Sequence, residues 1–508
     1  MCRSANNDYL NQRHRSGRGC SPNMRYFIGL DLGTTCIKAL LLDETGVIAG
    51  VAGEECELIV PGKGRAEQDA ESWVQLSGKV VRSVVSAAGI DPYDVAGLSI
   101  SSQGITVVPV DKNYKPLRNA ISWLDQRCGD EVALIRERKS DDDIRAITGI
   151  IPTPGYTLPQ ILWMKRNEPE MFAGVHKLLL PHDYMCARFT GFPVTDHTMA
   201  GGTMLYDVRT GCWSDKLLDL YGVDRGLLPD IKWAGTPVGE LRDEAAGILG
   251  LGRKTLVFTG GQDQKVAAFG SNLRINTATL SMGTCAAMEF MFDALPSHMG
   301  CALAASPYVE PGKWVLEACV STAGAAIKWV RDTLFPGLSF SQLDEMVTET
   351  QSSGGLFFYP YLQGSGTPFN TSAKGAFTGI SLGTTAAQLV RSVYEGIAME
   401  VRLNLNSAED AGVTVRDFTV FGGGSKSAVL NRMLACMTGK KLRSYNCPEM
   451  GAYGAASLAA RATGTGRFSL PVAAEWEVEP AQAAIYNELY ELYRENIGSV
   501  LEIGKKRV

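Results

Sequence analysis

The stretch Leu30–Asp43, LDLGTTCIKALLLD, sets an acid inside an apolar run, then Gly33-Thr34-Thr35, then a second apolar run. Two short apolar runs rich in strand formers, joined by a tight turn, read as a β-hairpin. Working outward, YFIGLDLG from Tyr26 is the first strand and IKALLLD the second. Glu44-Thr45-Gly46 then turns the chain into a third, VIAGVAG. Leu280–Asp293, LSMGTCAAMEFMFD, repeats the pattern. Aligning Leu30 with Leu280 matches Gly33 to Gly283, Thr34 to Thr284 and Asp43 to Asp293. A repeated strand–Gly-Thr–strand unit indicates a duplicated domain, with a boundary near residues 270–277.

The segments around these hairpins fit an α/β layer architecture. EQDAESWVQLSGKVVRSVVSAAG carries apolar residues at Trp73, Val74, Leu76, Val80, Val81, Val84 and Val85, the spacing of an amphipathic helix that ends at Ala88-Gly89. VAGLSISSQGITVVPVD reads as strand, turn and strand. TLVFTGGQDQKVAAFGS reads as strand, Gly-Gly turn and helix. A chain of 508 residues has room for two large domains. A net charge of −5 lacks the basic excess that nucleic-acid or membrane-surface binding needs. There is no apolar run of the roughly 18 residues that a membrane span needs. Twelve cysteines without a CxxC pair read as buried, reduced thiols of a cytoplasmic protein. Residues 1–24 are polar and Arg-rich, with no apolar centre, and read as a disordered leader.

The motifs point to phosphate chemistry. Glycine lets a turn approach a ligand closely, and threonine adds a hydroxyl beside the backbone amides. Two Gly-Thr hairpins, one per domain, would clamp a polyphosphate between them. Asp31 has Ser281 as its counterpart, so one clamp carries a carboxylate that would repel phosphate unless a cation intervened. Mg²⁺ is the fitting ion, and Asp31 reads as a ligand of the metal or of a metal-bound water. Farther on, the strand Phe418–Phe421 runs into Gly422-Gly423-Gly424-Ser425 and a helix, a third turn open to a nucleotide. Asp263 and Gln264 follow a strand at the domain junction. There a carboxylate is either a helix cap or a general base that orients an attacking hydroxyl. Trp123, Asp125 and Arg127 of SWLDQR are either a helix start or polyol ligands, and spacing does not decide. His176, His182 and His197 fit no metal pattern and read as ordinary histidines.

Taken in order, these stretches resemble the FGGY family of carbohydrate kinases, within the actin-like ATPase superfamily. The resemblance runs from Tyr26 to about Gly466 and rests on IGLDLGTTCIKALLLD, EQDAESW, ISWLDQR, PHDYMCARFTG, GGQDQ, SMGT, STAGAAIKW, GTPFN, FGGGSKS and EMGAYGAA. It implies an α/β fold of two actin-like (ribonuclease H-like) domains with ATP and sugar in the cleft. The N-terminal domain would span residues 25–270 and the C-terminal domain 271–500. It implies transfer of the ATP γ-phosphoryl group to a terminal hydroxyl of a ketose or polyol. Asp263 matches the family's base. Asp31, Gly33, Thr34, Thr35 and Lys38 fall in the first phosphate and metal motif, and Gly283 and Thr284 in the second. Gly423, Gly424 and Ser425 match the adenosine motif. Gln103, Trp123, Asp125, Arg127 and Gln264 fall to the sugar side. The loop SSQGIT has Gly104-Ile105 where xylulokinases have Met-His, and it lacks the Arg and Glu that hold glycerol. The first departure weighs against D-xylulose and the second against glycerol; the acceptor class implied is a pentulose such as xylulose or ribulose, or a related ketose or polyol. The partners implied are ATP, Mg²⁺ and a small sugar, without nucleic acid or membrane, and a homodimer stays open. The rival reading is an actin-like or chaperone-type ATPase with no sugar substrate.

Overall fold

A computed structural model describes residues 24–295, 303–367, 370 and 372–505. The leader expected over residues 1–24 lies outside these, Met24 excepted. Tyr26–Leu32 (β1), Cys36–Asp43 (β2) and Ile48–Glu55 (β3) form the antiparallel meander that their alternation of turn and apolar run dictates. The helix Ala70–Ala88 (α1) follows. Its N-terminus is capped by the Asp69 carboxylate, and its C-terminus by Gly89 at φ +65°. Trp73, Val74, Val80, Val81, Val84 and Val85 form its buried stripe, each side chain contributing about 1.5–3 kcal/mol of apolar burial.

Val95–Ser102 (β4) then pairs parallel to β1. The edge strand Pro237–Glu240 (β5) and Leu256–Gln262 (β6) complete a sheet of order β5-β6-β4-β1-β2-β3, and the helix Asp263–Gly270 (α2) leaves β6 directly. Gly260 and Gly261 are not the turn that their pairing suggests. They stay inside β6, at an irregularity where its register against β4 shifts.

The second half repeats this plan. Thr277–Met282 (β7), Ala286–Phe292 (β8), Ala304–Pro307 (β9) and Trp314–Val320 (β10) are followed by the 25-residue helix Ala386–Asp410 (α3), whose capping box is Thr385 and Gln388. Asp417–Phe421 (β11), Ala428–Thr438 (α4), Lys441–Tyr445 (β12), Met450–Ala462 (α5), Val472–Trp476 (β13) and Pro480–Lys505 (α6) finish the domain. Its sheet order is β9-β10-β8-β7-β11-β12-β13. The cores of the two sheets, β6-β4-β1-β2-β3 and β12-β11-β7-β8-β10, match strand for strand, which is the duplication seen at the two hairpins.

The halves meet through the helices that end each repeat. α2 and α5 cross, and both lie against the partner sheet, where small residues allow backbones to touch. A Cβ on Gly29 of β1 would fall 1.8 Å from Ala452 O of α5. One on Gly454 would fall 2.0 Å from Val266 O of α2. The Ala- and Gly-rich sequence MGAYGAASLAARA is therefore what lets α5 pack closely against both domains. Among the described residues, no helix is long and apolar enough to cross a membrane.

Candidate active site

A cavity of about 260 Å³ opens between the two domains. The first domain lines it with Thr34, Gln103, Trp123, Tyr156, Asp263, Gln264 and Lys265, and the second with Cys285, Ser306, Glu317 and Cys319. A neighbouring cavity of about 440 Å³ shares Trp123, Tyr156, Cys285, Glu317 and Cys319 with it.

Asp263 is the first residue of α2. The capping of that helix falls to Gln262, whose side-chain oxygen accepts from the amides of Gln264 at 3.1 Å and Lys265 at 3.3 Å. Asp263 Oδ1 accepts from Gln264 N at 2.8 Å and from the Gln262 amide, and the carboxylate lines the cavity. Burial, and then the carboxylate of Asp31, push its affinity for a proton up to about 7. Asp31 lies on β1 opposite Lys38 on β2 and Ser101 on β4, and Ser101 Oγ donates to its Oδ1 at 2.7 Å. Two acids in one cleft repel unless a cation or a proton lies between them. Among the described residues there is no cluster of three or more side-chain metal ligands. A Mg²⁺ held by one or two carboxylates, waters and phosphates fits this donor set.

The two hairpins are both closed by a glycine amide, the second turn being one residue shorter. Gly33 N donates to Cys36 O at 3.1 Å, and Gly283 N donates to Cys285 O at 2.9 Å. Both glycine amides thus close their own turns, and the exposed tips are Thr35 and Gly283-Thr284. Thr34 turns elsewhere. Its hydroxyl accepts from Trp123 Nε1 at 2.9 Å and donates to Gln103 Oε1 at 3.1 Å. Gln103 Nε2 donates to Gln68 Oε1 at 2.7 Å, and Gln68 Nε2 donates to the Thr34 carbonyl at 2.9 Å. This ring fixes Trp123, 39 % exposed, as a flat wall of the cavity. The Thr34 hydroxyl and carbonyl are committed to that wall.

Lys38 Nζ pairs with Glu449 Oε2 at 2.7 Å. Glu449 precedes α5 as Gln262 and Asp263 stand at the start of α2, the equivalent place in the repeat. The equivalence comes from strand order, in which β12 matches β6, and not from the sequence alignment of the hairpins. The glycine-rich turn lies over the second hairpin: a Cβ on Gly422, at φ +87°, would come 2.8 Å from Met282 O. Gly423–Lys426 forms a single 3₁₀ turn, and α4 starts after Ser427, whose hydroxyl accepts from Leu430 N. The helix N-terminus therefore lies farther from Gly423, Gly424 and Ser425 than the sequence suggests.

Asp125 and Arg127 do not line either cavity. Asp125 is fully buried. Its Oδ2 accepts from Ala66 N at 2.6 Å, and both its oxygens bind the Arg127 guanidinium, which also reaches Glu67 at 2.8 Å. Burial drives charged groups to pair, and this pair spends its bonds on holding the loop. His182 and His197 are structural. His182 Nδ1 meets Asp183 at 3.0 Å while Nε2 accepts from Gly260 N at 3.0 Å. His197 stacks on Trp233, and burial lowers its affinity for a proton to about 4. The nine described cysteines form no disulfide; Cys56, Cys128, Cys186 and Cys436 are buried as expected, whereas Cys212 is exposed and Cys285 and Cys319 face the cavities.

Comparison with known proteins agrees with this arrangement. Residues 26–270 match the N-terminal domain, and residues 278–463 the C-terminal domain, of the FGGY family of carbohydrate kinases. A xylulose kinase of Lactococcus lactis is 30% identical over 502 residues, covering 96% of this chain and 99% of its own. The crystal structure of a gluconate kinase from Lactobacillus acidophilus superposes with a TM-score of 0.89 at 25% identity, over 96% of this chain and 100% of that one. A xyloylose kinase from Brucella ovis gives 0.86 at 29% identity, over 94% and 100%.

Proposed function

We propose, for a chain that belongs to the FGGY family of carbohydrate kinases and phosphorylates a sugar with ATP, that the acceptor is a neutral pentulose and that Asp263 is the base. The observation that carries the reading is the placement of Asp263: it faces a cavity walled by both domains, beside Asp31, with a proton affinity near neutral pH. A base poised there accepts a hydroxyl proton as the oxygen attacks phosphorus, and orients that oxygen for in-line transfer. Xylulose is the first candidate, since the curated relatives named xylulose kinase align over nearly the whole chain.

In this reading the domains are residues 25–270 and 271–500, and ATP lies along the second. Thr35 and Thr284 offer hydroxyls and amides to the phosphates, and Gly423, Gly424 and Ser425 leave room for adenosine. Asp31, oriented by Ser101, would hold Mg²⁺, which when bound neutralises phosphate charge. Trp123, Gln103 and Gln264 wall the sugar. Closure of the domains keeps water from accepting the phosphoryl group. The free thiols fit a reducing compartment, and we place the protein in the cytoplasm. An acid sugar such as gluconate fits poorly. Among the described residues, one cationic side chain lines the smaller cavity, Lys265, and it is already paired with Glu289 and Glu317.

The test is a coupled ADP-release assay over xylulose, ribulose, other ketoses, polyols, glycerol and gluconate. The reading expects the highest kcat/KM with a pentulose. A preference for gluconate or glycerol over every pentulose refutes it.

A further inference from the structure

Among the described residues, three charged side chains line the smaller cavity: Asp263, Lys265 and Glu317. The proposed reaction uses the first and leaves the other two unexplained. Lys265 is buried, two residues beyond Asp263 on α2. Its Nζ crosses the cleft to the second domain, lying 3.4 Å from Glu289 Oε1 on β8 and in closer contact with Glu317 Oε2 on β10. Glu289 and Glu317 are directly opposite on adjacent antiparallel strands, so both side chains leave the sheet on one face. One ammonium therefore serves two carboxylates.

The two acids are not equivalent. Glu289 is buried, with neither oxygen hydrogen-bonded, and burial outweighs the pull of Lys265 to lift its proton affinity to about 8. Lys265 Nζ lies closer to Glu317 than to Glu289, so Glu317 is the acid it holds. Glu317 keeps 33% of its side-chain surface open and lines both cavities. A carboxylate has about four lone-pair sites, and Lys265 takes one of them.

We propose that Glu317 is a sugar-binding residue contributed by the C-terminal domain, held in place by Lys265 with Glu289 behind it. This rests on the sugar-kinase reading above and adds to it a specificity-determining contact. A hydroxyl donating to a charged carboxylate makes one of the stronger hydrogen bonds available in a neutral cavity. Asp263 and Glu317 stand on different domains, so a sugar touching both is gripped across the cleft. The C-terminal half then reads the sugar as well as the nucleotide.

The experiment uses the full chain and Glu317→Gln, which keeps the side chain's size and its ability to accept from Lys265. Binding of xylulose and ribulose is measured by calorimetry without ATP, and KM for sugar and for ATP by kinetics. Both are repeated with single-deoxy analogues. The expected result is sugar affinity weaker by about 10- to 100-fold, the range for a lost charged hydrogen bond, with KM for ATP within about twofold. One deoxy analogue should lose nothing further in the variant, which identifies the hydroxyl that Glu317 receives. If Glu317→Gln fails to fold, Glu317→Asp, which withdraws the carboxylate by one methylene, is read in the same way. Unchanged sugar affinity in the variant, or losses additive with every deoxy analogue, overturns the role of Glu317 while leaving the kinase reading intact. A wild-type protein that binds none of these sugars overturns both.

Discussion

Replacing Asp263 by Asn should abolish turnover and at the same time stabilise the protein, increasingly so as pH rises. The carboxyl has an ordinary value of 3.8 and is raised to about 7 by burial and by Asp31. A raised carboxyl is destabilising when ionised. Below pH 3.8 both folded and unfolded chains carry the proton and the penalty is absent. Between 3.8 and 7 the unfolded chain ionises while the folded chain does not, and the penalty grows. Above 7 it is complete. From pH 5 to pH 8 it grows by about two pKa units, or roughly 2.7 kcal/mol at 1.36 kcal/mol per unit. Asp263 is only partly covered by protein, and solvent contact reduces the realised value to about 1–2 kcal/mol. At about 2–4 °C per kcal/mol for a domain of this size, Asp263→Asn should melt about 2–8 °C further above the wild type at pH 8 than at pH 5. Loss of a general base lowers kcat by about 10²–10⁴-fold. The assays are thermal melting at both pH values and steady-state turnover. An Asn variant whose advantage is constant or shrinks with pH would show that Asp263 is not a raised carboxyl in a shared electrostatic site.

Further tests follow from the packing. Gly454→Ala puts a Cβ 2.0 Å from Val266 O, on the helix that Asp263 begins, and must shift α2 against α5. A displacement of about 1 Å at the reacting groups costs about 10²-fold, so kcat should fall by at least about tenfold while the isolated secondary structure, read by circular dichroism, is retained. Thr34→Val breaks the hydroxyl's bonds to Trp123 and Gln103. It should raise KM for sugar by about tenfold, with a smaller effect on KM for ATP. Equal effects on both substrates would place Thr34 at the phosphate tip.

What the sequence showed best was local. The two hairpins, the helix Ala70–Ala88 with its Asp69 and Gly89 ends, and Asp263 at a helix start are set by residues a few positions apart, and the motifs that carry the family resemblance are of the same kind. Gly260-Gly261 failed as a turn because a neighbouring strand, and not the local chain, decides whether a glycine pair bends or lies flat. Asp125 and Arg127 looked available, but Ala66 N and Glu67, some 60 residues away, absorb their bonds. Lys38 is claimed by Glu449, 411 residues on. Glu317 carried no motif at all. Its place beside Lys265 comes from strand register in one domain and the crossing of a helix from the other, neither of which a single stretch of sequence encodes.

The central claim is that both domains deliver ATP to a sugar oriented by Asp263. Its most direct test is ADP release by one enzyme preparation with and without a pentulose, alongside Asp263→Asn. The account predicts that sugar raises ADP release many-fold in the wild type, with one sugar phosphate formed per ADP, and that the Asn variant shows neither. ADP release that ignores the sugar, or a variant that turns over like the wild type, contradicts it.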